Sequence, residues 1–333
     1  MSEEFAGILW IGDPHVFSRR PGRRKDDYLS SVLGKLEACA EQANQDGLQA
    51  VITGDLLHRN DDNELGMLSR LMRTLQMFKH APFVIEGNHD KANARVGDAD
   101  TLGLLALAGS VRLISEPGSF FRGRVGGHDV ELFAAPYGAL LPTKLESTAE
   151  FALLVSHHDL AIGGQTYPGC VPLHEIEGCV LWVNGHMHKT YPPVPMGQTM
   201  VWNPGNIEPL SIDLEHHVPK SWVWLPSKPQ ELEGRALPHG TDLFDRTGIS
   251  VAPADAQTSV QSLTPSDGAA PAFASEFAAQ LQGSSALDAA RSDDATLLAE
   301  DLASVLEERH ASEAVQDLFK LLLAGVQTQA LTT

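Results

Sequence analysis

The chain has 333 residues, 43% of them hydrophobic, and a formal net charge of −19. That suffices for one large domain plus an appendage, and no run approaches the roughly 18 uninterrupted apolar residues of a membrane span. Three cysteines without a CxxC pair, and a start without a basic segment leading into an apolar run, fit the cytoplasm better than a disulfide-built secreted protein.

In chain order, Gly7 to Ile11 reads as a buried strand and Asp26 to Asn44 as a helix. Leu48 to Thr53 follows as a strand, Asn63 to His80 as a helix and Pro82 to Ile85 as a third strand. Thr101 to Ala108 is a short helix, and Gly126-Gly127 sits between two runs rich in Phe and Val, as in a hairpin turn. Further apolar strands lie at Phe151–Val155, Cys179–Val183, Met200–Trp202 and Ser221–Leu225. A parallel-type α/β first half followed by hairpin-rich strands implies two packed sheets rather than one open sheet. After about residue 226 the composition shifts. The expected domains are therefore a main domain over 1–226, a largely disordered linker over 227–285 rich in Ala, Ser and Pro, and a helical segment over 286–333. Its stripes, Leu298, Leu302 and Leu306, then Leu318, Phe319 and Leu322, need a partner surface.

Five short motifs carry the chemistry: GDPH (Gly12–His15), GDLLH (Gly54–His58), GNHD (Gly87–Asp90), SHH (Ser156–His158) and GHMH (Gly185–His188). Each follows an apolar strand, where α/β sheets place their ligands. A mixed set of Asp, Asn and His suits Mn, Fe, Zn or a similar divalent ion, and a lone carboxylate such as Asp55 can bridge two ions about 4 Å apart. In an extended SHH segment, His157 and His158 point to opposite sides, so only one of them faces the metals.

The order D-x-H, G-D, G-N-H-D, H, G-H-x-H resembles the calcineurin-like metallophosphoesterases from residue 7 to about 225. The resemblance implies a sandwich of two mixed β-sheets flanked by helices, with a dinuclear site at one edge. It assigns Asp13, His15, Asp55 and His188 to the first ion, and Asp55, Asn88, His157 and His186 to the second. It also favours His157 over His158. His89 is then a non-ligand that stabilises the transition state or protonates the leaving oxygen, with Asp90 as its orienting partner. Manganese is the expected metal, with iron, zinc or magnesium as alternatives.

Within that superfamily, GDLLH is similar to the G-D-L-F-H pattern of the SbcD-type repair nucleases, in which His58 would position a DNA strand. Arg59 instead stands where phosphoprotein phosphatases keep a phosphate-binding arginine. The stretch Asn203-Pro-Gly-Asn-Ile-Glu, then Leu210-Ser-Ile-Asp and Lys220, resembles the end of the SbcD-type catalytic domain, with Asn206 replacing its usual Ser. Arg19, Arg20, Arg23 and Arg24 form a basic loop that could hold a nucleic-acid backbone, or else a solvated cap on the helix beginning at Asp26. The resemblance implies a DNA exonuclease or endonuclease subunit. Its partners would be DNA and an SbcC-type coiled-coil ATPase gripped by the C-terminal helices, with a homodimer also allowed. The alternative is a phosphodiesterase or phosphatase acting on a small nucleotide.

Overall fold

The computed structural model describes residues 4–163, 170–211, 214–240 and 242–245. Of these, residues 4–163, 170–210, 214–240 and 242–244 belong to one compact unit. The C-terminal helical pair and most of the expected linker lie outside the described residues.

The unit opens with β1 (Glu4–Phe5), β2 (Gly7–Ile11), α1 (Tyr28–Asp46), β3 (Leu48–Ile52), α2 (Leu65–Gln76), β4 (Phe83–Ile85) and α3 (Thr101–Leu107). Then come β5 (Arg112–Ile114), β6 (Gly118–Val125), β7 (His128–Ala135), β8 (Phe151–His157) and β9 (Leu181–Gly185). It closes with β10 (Tyr191–Met196), β11 (Thr199–Asn203), β12 (Lys220–Trp224) and β13 (Glu233–Ala236).

Both sheets are mixed. In the six-stranded sheet β2, β3, β4 and β5 are parallel, and β12 and then β13 are added antiparallel beside β2. In the seven-stranded sheet β7, β8, β9 and β11 are parallel, and β6 and β10 pair antiparallel at the flanks. The strands β2, β3 and β9 are buried throughout and almost wholly apolar because both of their faces are covered. Ile8, Trp10, Val51 and Phe83 of one sheet meet Val130, Leu153, Val155 and Val183 of the other in the core between them. The opposite face of the six-stranded sheet, with Leu9, Ile11, Ala50 and Ile52, is buried under Val32, Leu36 and Cys39 of α1 and Met67 and Leu71 of α2. Loops, not helices, cover the outer face of the seven-stranded sheet at Leu154 and Trp182, where Leu145, Leu160 and Ile176 pack.

Local chemistry sets the helix ends. The Asp27 carboxylate accepts from the Ser30 amide to cap α1, so the helix starts later than the apolar pattern predicts. Gly47 then ends it in the left-handed conformation, φ 64°. The domain boundary also moves. Expected as linker, residues 227–244 instead supply β13, paired along β12, and Phe244, bridged to Arg24. With only the residues EGRA, β13 has too little apolar patterning to announce itself.

Candidate metal centre

All five motifs leave the ends of β2, β3, β4, β8 and β9 and converge at one edge of the sandwich. The departures are sharp. Among the described residues, His15 (φ 49°), Asp55 (φ 45°) and His186 (φ 73°) are the non-glycine residues with positive φ. Such a conformation costs roughly 1–3 kcal/mol and persists where packing over-determines it. Here all three strained residues carry candidate ligand atoms.

One cluster is Asp13, His15 and His188, the two imidazoles meeting at Nε2 to Nε2 2.9 Å. Asp13 is held on both oxygens, by the Thr53 hydroxyl at 2.9 Å and the His186 amide at 2.7 Å. The second cluster is Asp55, His157 and His186. The Asn88 side-chain oxygen lies 3.1 Å from His157 Nε2 and 2.9 Å from His186 Nδ1. Asp55 Oδ2 stands between the clusters, 3.2 Å from His157 Nε2 and 3.8 Å from His15 Nε2. It is buried without a hydrogen-bond donor, whereas Oδ1 accepts from the His89 amide at 2.9 Å.

The donor set fits divalent cations. His157 Nδ1 donates to the Thr53 carbonyl at 2.8 Å, which leaves Nε2 of the neutral ring with a lone pair aimed at Asn88 and Asp55. Lone pairs of two imidazoles, an amide oxygen and a carboxylate then converge, and only a proton or a metal ion relieves that. Without an ion a proton does so: burial opposes charge on His157, but Asp55 and then Asp13 hold its pKa up to about 9. Burial raises Asp55 too, yet His157 and His89 overcome this and hold it well below the carboxylate range. Burial pushes Asp13 up to about 6 against the pull of His157, and Asp90 up to about 7 with help from Asp55. His15 and His186 are driven well below the usual histidine value, first by burial and then by neighbouring imidazoles, so both are neutral and ready to ligate.

The adjacent His158 turns away and donates through Nε2 to the Ala139 carbonyl at 2.7 Å, so His157 is the member of the pair in the cluster. His89 packs edge-on to His15, ring centroids 4.9 Å apart, and lies over His58 at 5.5 Å. Burial, then His89 and His188, lowers His58 to about 3. His58 Nδ1 is buried without a partner, and His15, His58 and His89 form a third grouping of nitrogen ligands.

Two expectations are corrected. Asp90 does not orient the His89 ring: its carboxylate accepts from the Leu57 amide at 3.1 Å and turns back to the Gly87 amide at 3.0 Å, closing the GNHD loop. The His58 carbonyl orients His89 instead, accepting from Nδ1 at 2.8 Å. Arg24 is withdrawn from substrate. Only 4% exposed, it binds Asp26, Glu208 and Asp242. Three carboxylates on one guanidinium leave nothing for a phosphate. Arg19 and Arg20 are exposed and Arg23 is half-buried, and Arg59 pairs with Asp61 at 3.1 Å while 42% exposed.

Sequence reasoning passed over the residues that hold the loops. Asn184 accepts from the His158 amide and the Ser156 hydroxyl, and donates to the carbonyl of His158 and the side chain of Asn203. Asn203 in turn donates to the carbonyls of Met187 and Lys189. The signal was present: an amide at the end of an apolar strand, directly before GHMH, is costly to bury unless it is paired.

Residues 7–190 match the family described as calcineurin-like phosphoesterase. No curated protein matches the sequence. Among solved structures, a 5′-nucleotidase precursor from Thermus thermophilus is similar at 14% identity and a TM-score of 0.43, over 69% of this chain and 54% of its own. An NAD nucleotidase from Haemophilus influenzae is similar at 11% identity and a TM-score of 0.38, over 70% of this chain and 49% of its own. The chain thus spans about half the length of these two proteins.

Proposed function

Because the chain belongs to the calcineurin-like phosphoesterase family, we propose that its strand-end clusters hydrolyse a phosphodiester bond with two divalent cations. Asp13, His15 and His188 would hold one ion and Asn88, His157 and His186 the other, with Asp55 shared. The observation that carries this reading is Asp55 Oδ2, buried and within 4 Å of imidazole nitrogens of both clusters. When bound, such a pair binds phosphoryl oxygens and makes hydroxide available near neutral pH.

The chain's own residues do the rest. His89 donates its Nδ1 proton to the His58 carbonyl, so Nε2 is the atom that faces a substrate. As imidazolium it donates from Nε2 to the leaving oxygen, and as neutral imidazole it accepts there. His58, partly exposed and stacked on His89, would steer the strand beside it. Arg19 and Arg20 would contact the backbone.

Our reading of the substrate is DNA, cut by an SbcD-type nuclease subunit loaded with manganese and paired with a coiled-coil ATPase. The GDLLH motif with His58 beside His89, and the nitrogen and oxygen ligand set, support it. A small nucleotide is the second reading. The burial of Arg24 favours it, because the basic loop then offers less charge to a long polyanion. The test is purified protein with Mn²⁺, assayed side by side on single-stranded DNA, duplex ends, nucleotides and bis-p-nitrophenyl phosphate. Cleavage of DNA that EDTA abolishes is expected. Cleavage of nucleotides alone would reject the nuclease reading. No hydrolysis after loading with Mn, Fe or Zn would reject the hydrolase itself.

A further inference from the structure

Beneath the first cluster lies a group of buried charges. Arg24 binds Asp26, Glu208 and Asp242, and Lys35 donates to Glu208 at 2.7 Å and to Asp242 at 2.7 Å. Lys35 and Glu208 are fully buried. Taking that many charges out of water is poor economy for stability alone, since apolar residues of similar volume often do as well or better. What the cluster does achieve is a fixed position for Glu208.

The residues just before Glu208 face the candidate metal loops. The Asn206 amide donates to the His188 carbonyl at 2.9 Å, and the Ile207 amide to the Gly12 carbonyl at 3.2 Å. Asn206 also donates from its side chain to the Glu208 carbonyl at 2.7 Å, tying the segment to its anchor. The His15 carbonyl accepts from the Tyr28 hydroxyl at 2.7 Å, and the Arg24 guanidinium lies 5.1 Å over the Tyr28 ring. Main-chain oxygens of both loops of the first cluster, GDPH and GHMH, therefore hang on groups seated on one ionic anchor. The second cluster has supports of its own, His157 on the Thr53 carbonyl and the SHH loop on Asn184, and shares only the GHMH loop, where the His186 amide donates to Asp13.

We infer that Glu208, clamped by Arg24 and Lys35, is a positioning residue that sets the metal affinity of the Asp13, His15 and His188 half-site more strongly than that of the Asp55, His157 and His186 half-site. The inference rests on reading the two clusters as metal sites. Outer partners that orient metal ligands typically change affinity by about 10- to 100-fold when removed.

The experiment is Mn²⁺ titration calorimetry on the full-length chain, comparing wild type, Glu208→Gln and Asn206→Ser. His188→Ala and Asn88→Ala mark the isotherms of a protein damaged at the first or the second half-site. Glu208→Gln should bind one ion about 10- to 100-fold more weakly and reproduce the His188→Ala pattern, weakening the other ion less. Asn206→Ser keeps every charge and removes an amide whose oxygen is buried and undonated, so the chain should fold while shifting in the same direction. It decides the matter if Glu208→Gln unfolds. Folded variants that match wild type, or that weaken both ions alike, overturn the inference while the metal-centre reading stands. A wild-type chain that binds no Mn²⁺ overturns both.

Discussion

His89 and His157 each give one ring proton to a main-chain oxygen, and the consequences differ with what faces the other nitrogen. The His89 ring packs against His15 but is not one of the groups assigned to either half-site, and its backbone amide makes the contact to Asp55. His89→Ala should therefore keep both ions while the rate falls about 10²–10⁴-fold, as for loss of a general acid. Elemental analysis beside steady-state kinetics checks this, and loss of metal would make His89 a ligand. His157 instead faces carboxylates, and in the metal-free protein its pKa is raised to about 9 from an ordinary 6.5. A raised histidine contributes stability that is fully present below the unfolded value and is lost as pH climbs through the folded one. Asp90, raised to about 7, acts in the same direction below that pH. His15 and His186 are held below 6.5 and so are neutral, folded or unfolded, above it. The metal-free chain should therefore melt progressively lower from pH 7 to 9, and less steeply with Mn²⁺ present, because an ion replaces the proton. Thermal unfolding with and without EDTA reads both arms; a flat metal-free profile would contradict the assignment of His157.

At the scale of strands and loops, the glycines that open the motifs are needed for close approach as much as for the turn. A Cβ at Gly87 would fall on the Asp55 carboxylate and amide, and one at Gly54, itself at φ 119°, would enter the His157 ring. The ends of β3 and β4, paired in one sheet, and of β8 in the other thus meet at van der Waals contact, which holds Asp55, Asn88 and His157 together. Gly87→Ala is expected to displace Asp55 and abolish Mn²⁺ binding and hydrolysis, while far-UV circular dichroism stays near wild type because the sheets lie elsewhere. Retained metal with normal turnover would mean that the loops can shift freely.

For the whole molecule, the boundary at Phe244 makes a sharp contrast between two truncations. A chain ending at Phe244 keeps β13 and Asp242 and should hydrolyse a small diester as the full chain does. A chain ending at Pro226 loses both, leaving Lys35 and Arg24 buried with one carboxylate fewer. Breaking a buried pair this way costs about 3–5 kcal/mol, so this shorter chain should be insoluble or melt far below the longer one. Expression yield and thermal unfolding distinguish them. Under the proposed partnership, the Phe244 truncation should also lose capture by the coiled-coil ATPase.

The motifs could be read in advance because each is contiguous and follows an apolar run, so strand, turn and ligand type are encoded within a few residues. The helices α1 and α2 and the hairpin at Gly126-Gly127 were legible for the same reason. Tertiary structure alone decided which group orients His89, that Arg24 is buried, and that the domain runs on to Phe244. Those outcomes depend on partners far away in the chain: Arg24 meets Glu208 across 184 positions, and Lys35 meets Asp242 across 207. A charged side chain looks the same in sequence whether water or a carboxylate will surround it, and only the packing of distant segments determines which.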